Sequence, residues 1–365
     1  MLYRLLFFII FLIFLLIIRF YQSTPKYKEN DQIKITASIT EMPTVTINSF
    51  GTAQQKFKLL GITVYAPLYP SFRYGDRLEA TGQVQKGKSG YWLKTAKEIN
   101  LLPPHPLLSP LGRFRNRLES LLRTYLPEPH SSLLAGMVLG SKNLPSDFYQ
   151  KLQNSGTLHV VVASGANIAL LVAPLMEIFL LVFSRRLAAV FLIFIIWFYA
   201  LLTGFEPPIL RASLMASFSF LALLLGRRTL AWWSLILSVF FLLLINPQYI
   251  FDIGFQLSFL ATAGILWFSP PLKKLFRFLP VIIHESWCMT LSAQIATLPV
   301  LLFTFHRFQP LSPFVNAALL WTVPWITSLG MVSLFLGLIW YPLGQGIAYL
   351  IYPLSSIFIF VTGIF

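Results

Sequence analysis

The chain has 365 residues, of which 56% are hydrophobic, 16% aromatic and only 11% charged. A soluble domain carries about 25% charged residues, so this composition excludes an ordinary soluble protein and places most of the chain in lipid. Lys and Arg outnumber Asp and Glu 28 to 13 for a formal charge of +15, which on a membrane protein points to anionic lipid, a polyanionic substrate or both, while the lone Cys288 excludes an internal disulfide and a cysteine-based metal site.

Residues 1–21 read as an uncleaved membrane anchor. The uncharged run Leu5–Ile18 lies between Arg4 and Arg19, and its flanking residues extend it toward the roughly 20 that a span needs. A signal peptide is the competing reading, but no small-residue cleavage pattern follows at Gln22–Pro25.

Residues 26–102 change character. Ile33, Ile35, Ala37 and Ile39 alternate with polar neighbours, the period-two signature of a half-buried strand. Four more strands are expected at Val45–Asn48, Lys56–Ala66, Arg77–Gln85 and Tyr91–Ile99, separated by glycine-bearing turns. Five short strands without an intervening helix predict a small closed barrel of the OB type. Residues 19–130 carry 16 Lys and Arg against 8 Asp and Glu. Cations and rings interleave, which is how single-strand binders follow phosphates and stack bases. Lys56, Lys58, Arg73, Arg77, Lys86, Lys88 and Trp92 are therefore the candidate DNA-binding residues. The alternative is a solvated barrel whose aromatics are core or lie at a bilayer surface.

Residues 103–154 read as a proline-rich linker followed by interfacial helices. Leu111, Phe114, Leu118, Leu121, Leu122 and Tyr125 recur at helical spacing, with Arg113, Arg115, Arg117 and Arg123 expected on other faces. Ser131–Gly140 is apolar but too short to span.

Residues 155–365 form the polytopic region. It opens with Ser155–Pro174, a polar turn running into an apolar helix that carries His159, Ser164 and Asn167. Polar groups at membrane depth are costly and suggest function, and Ser164-Gly165 allows a close approach. Three basic clusters, Arg185-Arg186, Arg227-Arg228 and Lys273-Lys274 with Arg277, are spaced for two spans each. They are expected on the cytoplasmic side. The spans are then 158–183, 187–204, 208–226, 229–246, 252–269, 281–304, about 314–340, and 343–365. This order leaves the barrel outside, as does the anchor with Arg4 inside. The fold class is thus a mainly α-helical polytopic membrane protein with a small external all-β domain.

On this topology the polar interruptions share one depth below the barrel, as in a water-filled vestibule. His159, Ser164, Gly165, Asn167, Glu206, Arg211, Asp252, Gln256 and Asn316 are the candidate pore residues, joined at that depth by His306-Arg307. An Arg211–Asp252 ion pair would offset the cost of burying either charge. No catalytic residue is assigned. Ser164-Gly165 also resembles the Ser-Gly motif of rhomboid intramembrane proteases, but the helix places His159 and Ser164 five residues apart on different faces. No His-rich metal spacing and no phosphate-binding Gly-rich loop with Lys occur, so no metal or other cofactor is expected and an ATP-driven motor would be a separate protein.

Four stretches in series resemble the ComEC family of competence proteins. Gly156-Thr-Leu-His159-Val-Val-Val-Ala-Ser164-Gly165-Ala-Asn167 is similar to that family's GxxHLLAISGLHV helix. Thr203-Gly-Phe-Glu-Pro-Pro-Ile-Leu-Arg211-Ala-Ser-Leu-Met215 resembles TGFxPSxxRAxxM. Asn246-Pro247 with Asp252-Ile-Gly-Phe-Gln256-Leu-Ser258-Phe resembles NPxxLxDxGFQLSF, and Thr297-Leu-Pro299 with Phe308, Ser312 and Asn316 resembles the fourth motif. The resemblance implies a channel for single-stranded DNA in the cytoplasmic membrane during natural transformation, not an enzyme. Its implied partners are the lipid bilayer, a separate DNA receptor and a cytoplasmic motor, with a homo-oligomer also allowed. Asn167 stands where many relatives have a second histidine. Many relatives also continue into a metallo-β-lactamase-like domain, whereas this chain stops at Phe365 within an apolar run, as a short form or a fragment would. An exporter or flippase of an anionic polymer is the remaining alternative.

Overall fold

The computed structural model describes residues 14–21, 30–39, 43–47, 53–87, 90–106, 108–161, 164–228, 230–278, 280–305 and 312–364. Residues 14–21 are helical (α1). Six strands follow: β1 (Gln32–Ser38), β2 (Thr44–Ile47), β3 (Ala53–Leu59), β4 (Ile62–Pro67), β5 (Arg77–Gly87) and β6 (Gly90–Leu101).

The expected single strand Lys56–Ala66 is in fact a hairpin. Leu60 and Gly61 turn it with φ of 48° and 85°, the all-positive geometry of a two-residue loop whose twist matches the flanking strands. The burial pattern carries the same message. Inward residues are Phe57 and Leu59 before the turn and Ile62, Val64 and Ala66 after it, so the alternation changes phase. The six strands form one sheet in the order β1-β5-β6-β4-β3-β2. All pairs are antiparallel except β4–β6, which is parallel. Among the described residues the sheet is open, with β1 and β2 at its edges, so the expected closure is not formed by these ladders. Ile35, Phe57, Val64, Leu78, Val84 and Leu93 fill one face. Gln55 is buried beside them. Its amide donates to Pro67, Leu68 and Pro70 carbonyls and accepts from the Phe72 amide, fixing the loop after β4.

The rest of the described chain is helical: α2 (Leu108–Tyr125), α3 (His130–Leu139), α4 (Ser146–Ser155), α5 (Leu158–Val161), α6 (Ala166–Leu180), α7 (Arg185–Leu202) and α8 (Pro207–Leu224). Then come α9 (Ala231–Ile245), a 3-10 turn at Pro247–Phe251, α10 (Ile253–Leu275), α11 (Val281–Phe305), α12 (Ser312–Leu319), α13 (Thr322–Ile339) and α14 (Tyr341–Gly363). Five of these, α7, α8, α10, α13 and α14, are long and apolar enough to cross a membrane. The expected first span is interrupted: α5 ends at Val161, and α6 begins only after Ser164-Gly165. His159 and Ser164 therefore do not share one continuous helix. The expected span at 314–340 is likewise divided into α12 and α13.

The short helix α3 is the hub. All ten of its residues are buried, as suits an apolar segment too short to span. It packs against α2, α13 and α14. Gly330 of α13 is held against Leu134 and Val138 of α3, which lets the two backbones approach closely. Tyr125, the last residue of α2, enters the α13–α14 hairpin where Gly337 and Gly344 leave room. A Cβ on Gly344 would lie 2.7 Å from its hydroxyl.

Candidate cleft and nucleic-acid face

At one end of the bundle, four helix termini each meet a charge of the favourable sign. Arg19 of α1 donates through Nε to the Leu244 carbonyl of α9 at 3.0 Å. Arg115 of α2 donates to the Leu202 carbonyl of α7. Glu206 immediately precedes α8 and pairs with Lys142 at 2.6 Å. Asp252 immediately precedes α10 and accepts from the Phe255 amide at 2.8 Å. Cations at helix C-termini and anions at N-termini oppose the helix dipole and typically contribute about 0.3–1 kcal/mol each, more when partly buried. Glu206 and Asp252, expected to line a pore, thus have structural duties that account for their charge.

This end also carries the sheet domain. The Tyr74 hydroxyl donates to the Leu201 carbonyl at 3.2 Å, one residue from the carbonyl that Arg115 binds. Gly75, with φ of 88°, and Gly112 of α2 remove the side chains that would separate the two units. Ser109 closes the contact by donating to the Gly75 carbonyl at 2.9 Å. Arg115 is 0% exposed. Burial lowers its pKa from the usual guanidinium range, and Glu119, Tyr74, Glu206 and Tyr199 oppose that shift. Burial raises the pKa of the Tyr74 phenol, against the pull of Arg115. The expectation that Arg115 faces away from the apolar stripe is corrected here. Its spacing from Leu111, Leu118 and Leu122 puts it on their face.

The cleft lies on α8. Arg211 donates through Nε to Ser258 of α10 at 2.8 Å and through Nη1 to the Met215 sulfur at 3.3 Å. On its other side a Cβ on Gly165 would come within 3.0 Å of Nη2. One guanidinium therefore bridges the start of α6 to α10. The expected Arg211–Asp252 pair is not formed, because the Asp252 carboxylate is engaged with its own helix end. Beside Gly165, Ser164 donates to the Asn167 side chain at 3.2 Å, and Asn167 donates to the Met137 carbonyl at 2.8 Å. Tyr199 donates to the next carbonyl, Val138, at 2.8 Å. These bonds satisfy the end of α3 and fix the break between α5 and α6 at the cleft wall.

Of the remaining candidates, Gln256 donates to the Ile250 carbonyl at 2.7 Å and Asn316 is buried on α12. His159 lies on α5 with its side chain outside the described set, and His306-Arg307 lie outside the described residues. Among the described residues no cluster of His, Cys, Asp and Glu could hold a metal ion. Sequence reasoning missed Arg115, Lys142 and Tyr199.

On the sheet, Lys56 faces Tyr65 across the β3–β4 ladder, its ammonium 5.9 Å from the ring centroid. Tyr65 meets Trp92 edge-to-face at 6.1 Å. These three, with Lys58, occupy the face opposite the core. Arg73 and Arg77 are exposed at the other location, the turn beside Tyr74. Lys86 lies on β5 with its side chain outside the described set, and Lys88 is outside it altogether.

A bundle of apolar helices with a buried arginine in a cleft, carrying a small sheet domain on one end, defines a class of multi-pass membrane protein. The chain belongs to the competence protein family, whose sequence model matches residues 137–365. It is 30% identical over 207 residues to ComE operon protein 3 of Bacillus subtilis (strain 168), covering 55% of this chain and 26% of that protein. It is 27% identical over 275 residues to the uncharacterized protein YcaI of Escherichia coli (strain K12), covering 66% of this chain and 35% of that one. The chain thus spans about a quarter to a third of the length of these curated relatives. No solved structure matches it.

Proposed function

We propose that this protein forms the passage by which single-stranded DNA crosses the cytoplasmic membrane in natural transformation. The observation that carries the reading is the convergence of Gly165, Arg211 and Ser258 from three elements. They meet about one helical turn below the end on which the sheet domain is seated. Membership of the competence family and the name of the Bacillus relative support the same cargo. The sheet domain is read as an OB barrel whose first strand is broken. Strands β1 and β2 are consecutive in the chain yet occupy the two edges, so pairing of those edges would close the ring. The Lys56–Tyr65–Trp92 face would receive the strand, with cations on phosphates and rings on bases. A DNA receptor and an ATP-driven motor would be separate proteins.

The three basic clusters at the opposite end from the sheet domain support an external position for that domain. The protease alternative gains nothing from the geometry, since the Ser164 hydroxyl donates to an amide rather than to a base. The test is uptake of labelled DNA into the cytosol by cells lacking this gene, together with reporters fused after Lys97 and after Arg228. Loss of uptake, an external reporter at Lys97 and a cytoplasmic one at Arg228 are expected. Unimpaired uptake refutes the cargo, and a cytoplasmic sheet domain refutes the orientation.

A further inference from the structure

A groove of about 390 Å³ runs between α6 and α8 from the point where Gly165 meets Arg211. Its walls are Ile168 and Val172 on one side and Ala212, Ala216 and Phe220 on the other. Among the described residues Arg211 is its only charged lining residue. Ser219, the other polar lining residue among those described, spends its hydroxyl on the Met215 carbonyl of its own helix at 2.9 Å. Arg211 is 8% exposed, and among the described residues no carboxylate lies within ion-pair distance of it. A buried cation without a counter-charge is costly, and here it borders an open slot.

We infer that an anionic phospholipid occupies this groove, its phosphate on Arg211 and one acyl chain in the slot. Depth supports the assignment. Arg211 is four residues into α8, about 6 Å from its start, and Phe220 lies about 13 Å further along. A hydrocarbon core is about 30 Å thick, so the cation is near headgroup level and the groove is about as deep as one leaflet. A zwitterionic headgroup would bring its own cation to a place that offers it no carboxylate. A nucleic-acid phosphodiester would suit the cation but would leave the apolar slot below it empty. The inference rests on α8 crossing a bilayer with α6 beside it and not on the identity of the cargo.

The test uses the full chain, stripped of lipid in detergent and then offered dioleoyl phosphatidylglycerol or dioleoyl phosphatidylcholine, with retained lipid measured by mass spectrometry. The wild type is expected to prefer phosphatidylglycerol by roughly tenfold or more, as a charge-assisted hydrogen bond allows. Arg211→Gln should erase the preference. Ala216→Leu, which fills the slot and leaves the guanidinium, should reduce retention of both lipids and serves if Arg211→Gln does not fold. Equal retention of the two lipids by the wild type overturns the proposal. So does displacement by millimolar inorganic phosphate, which would make this a free-anion site, or Arg211-dependent binding of a single-stranded oligonucleotide without binding of phosphatidylglycerol. Release of the protein from membranes by alkaline carbonate refutes the bilayer placement itself. A protein that stays in the membrane without a lipid preference refutes the lipid alone.

Discussion

Tyr74 of the sheet domain and Arg115 of α2 donate to consecutive carbonyls, Leu201 and Leu202, at the end of α7. The sheet domain and the membrane helices thus share one helix terminus as their joint. Replacing Arg115 with Ala should cost about 3–5 kcal/mol, the range for breaking one side of a buried charged contact. The Leu202 carbonyl loses its donor, and Glu119 and Glu206 lose a neighbouring cation. Thermal unfolding in detergent reads the loss. Limited proteolysis should show the sheet domain released first. An Arg115→Ala protein of wild-type stability would show that the joint is not held there.

The sheet face gives a prediction with a salt signature. Each phosphate contact made by Lys56 or Lys58 should contribute a slope of about 0.7 log units of affinity per log unit of salt. Trp92→Ala should lower affinity by about 1–3 kcal/mol for the base it stacks, with the slope unchanged. Titration of a labelled single-stranded oligonucleotide against the full chain separates the two. Salt-independent binding would remove the electrostatic role of the lysines.

Ser164 distinguishes a passage from an enzyme. Its hydroxyl bonds to Asn167 at the cleft wall, so Ser164→Ala should retain most DNA uptake, whereas Ser164→Leu should block it by bulk. A nucleophile would behave differently, losing about 10³-fold or more on change to Ala. A folded, inserted and inactive Ser164→Ala protein would favour the protease.

Arg211 and Asp252 have separate partners, which reverses the expectation for a bonded pair. Asp252→Ala should cost about 1 kcal/mol through loss of the α10 cap. Arg211→Ala should lose its contacts to Ser258 and Met215. The double variant should be less stable than either single one. Rescue in the double variant would restore the ion pair.

Much of this was legible in the sequence. Low charge content announced the long apolar helices, basic pairs marked helix ends, and period-two alternation located the sheet. The β3–β4 turn was missed although the inward phase changes at Leu60-Gly61. The role of Arg115 was missed because a cation was assigned to the polar face by type, when its spacing from Leu118 and Leu122 already placed it inward. The helix break at Ser164-Gly165 was less accessible. It depends on the close approach of Arg211 and Ala212 from α8, a tertiary contact that overrides a locally apolar pattern. Likewise the depth of Glu206 and Asp252 was visible in the sequence, while the helix ends they serve were not.

The central claim is that DNA passes on the α10 side of Arg211, at Ser258, and not through the groove between α6 and α8. A photo-crosslinking side chain placed at position 258, beside Arg211, or at position 194, where Phe194 is exposed on the outside of α7, tests it during uptake of labelled single strands. The account predicts DNA crosslinks from position 258 and lipid crosslinks alone from position 194. DNA captured only at position 194, or at neither position while uptake proceeds, would contradict it.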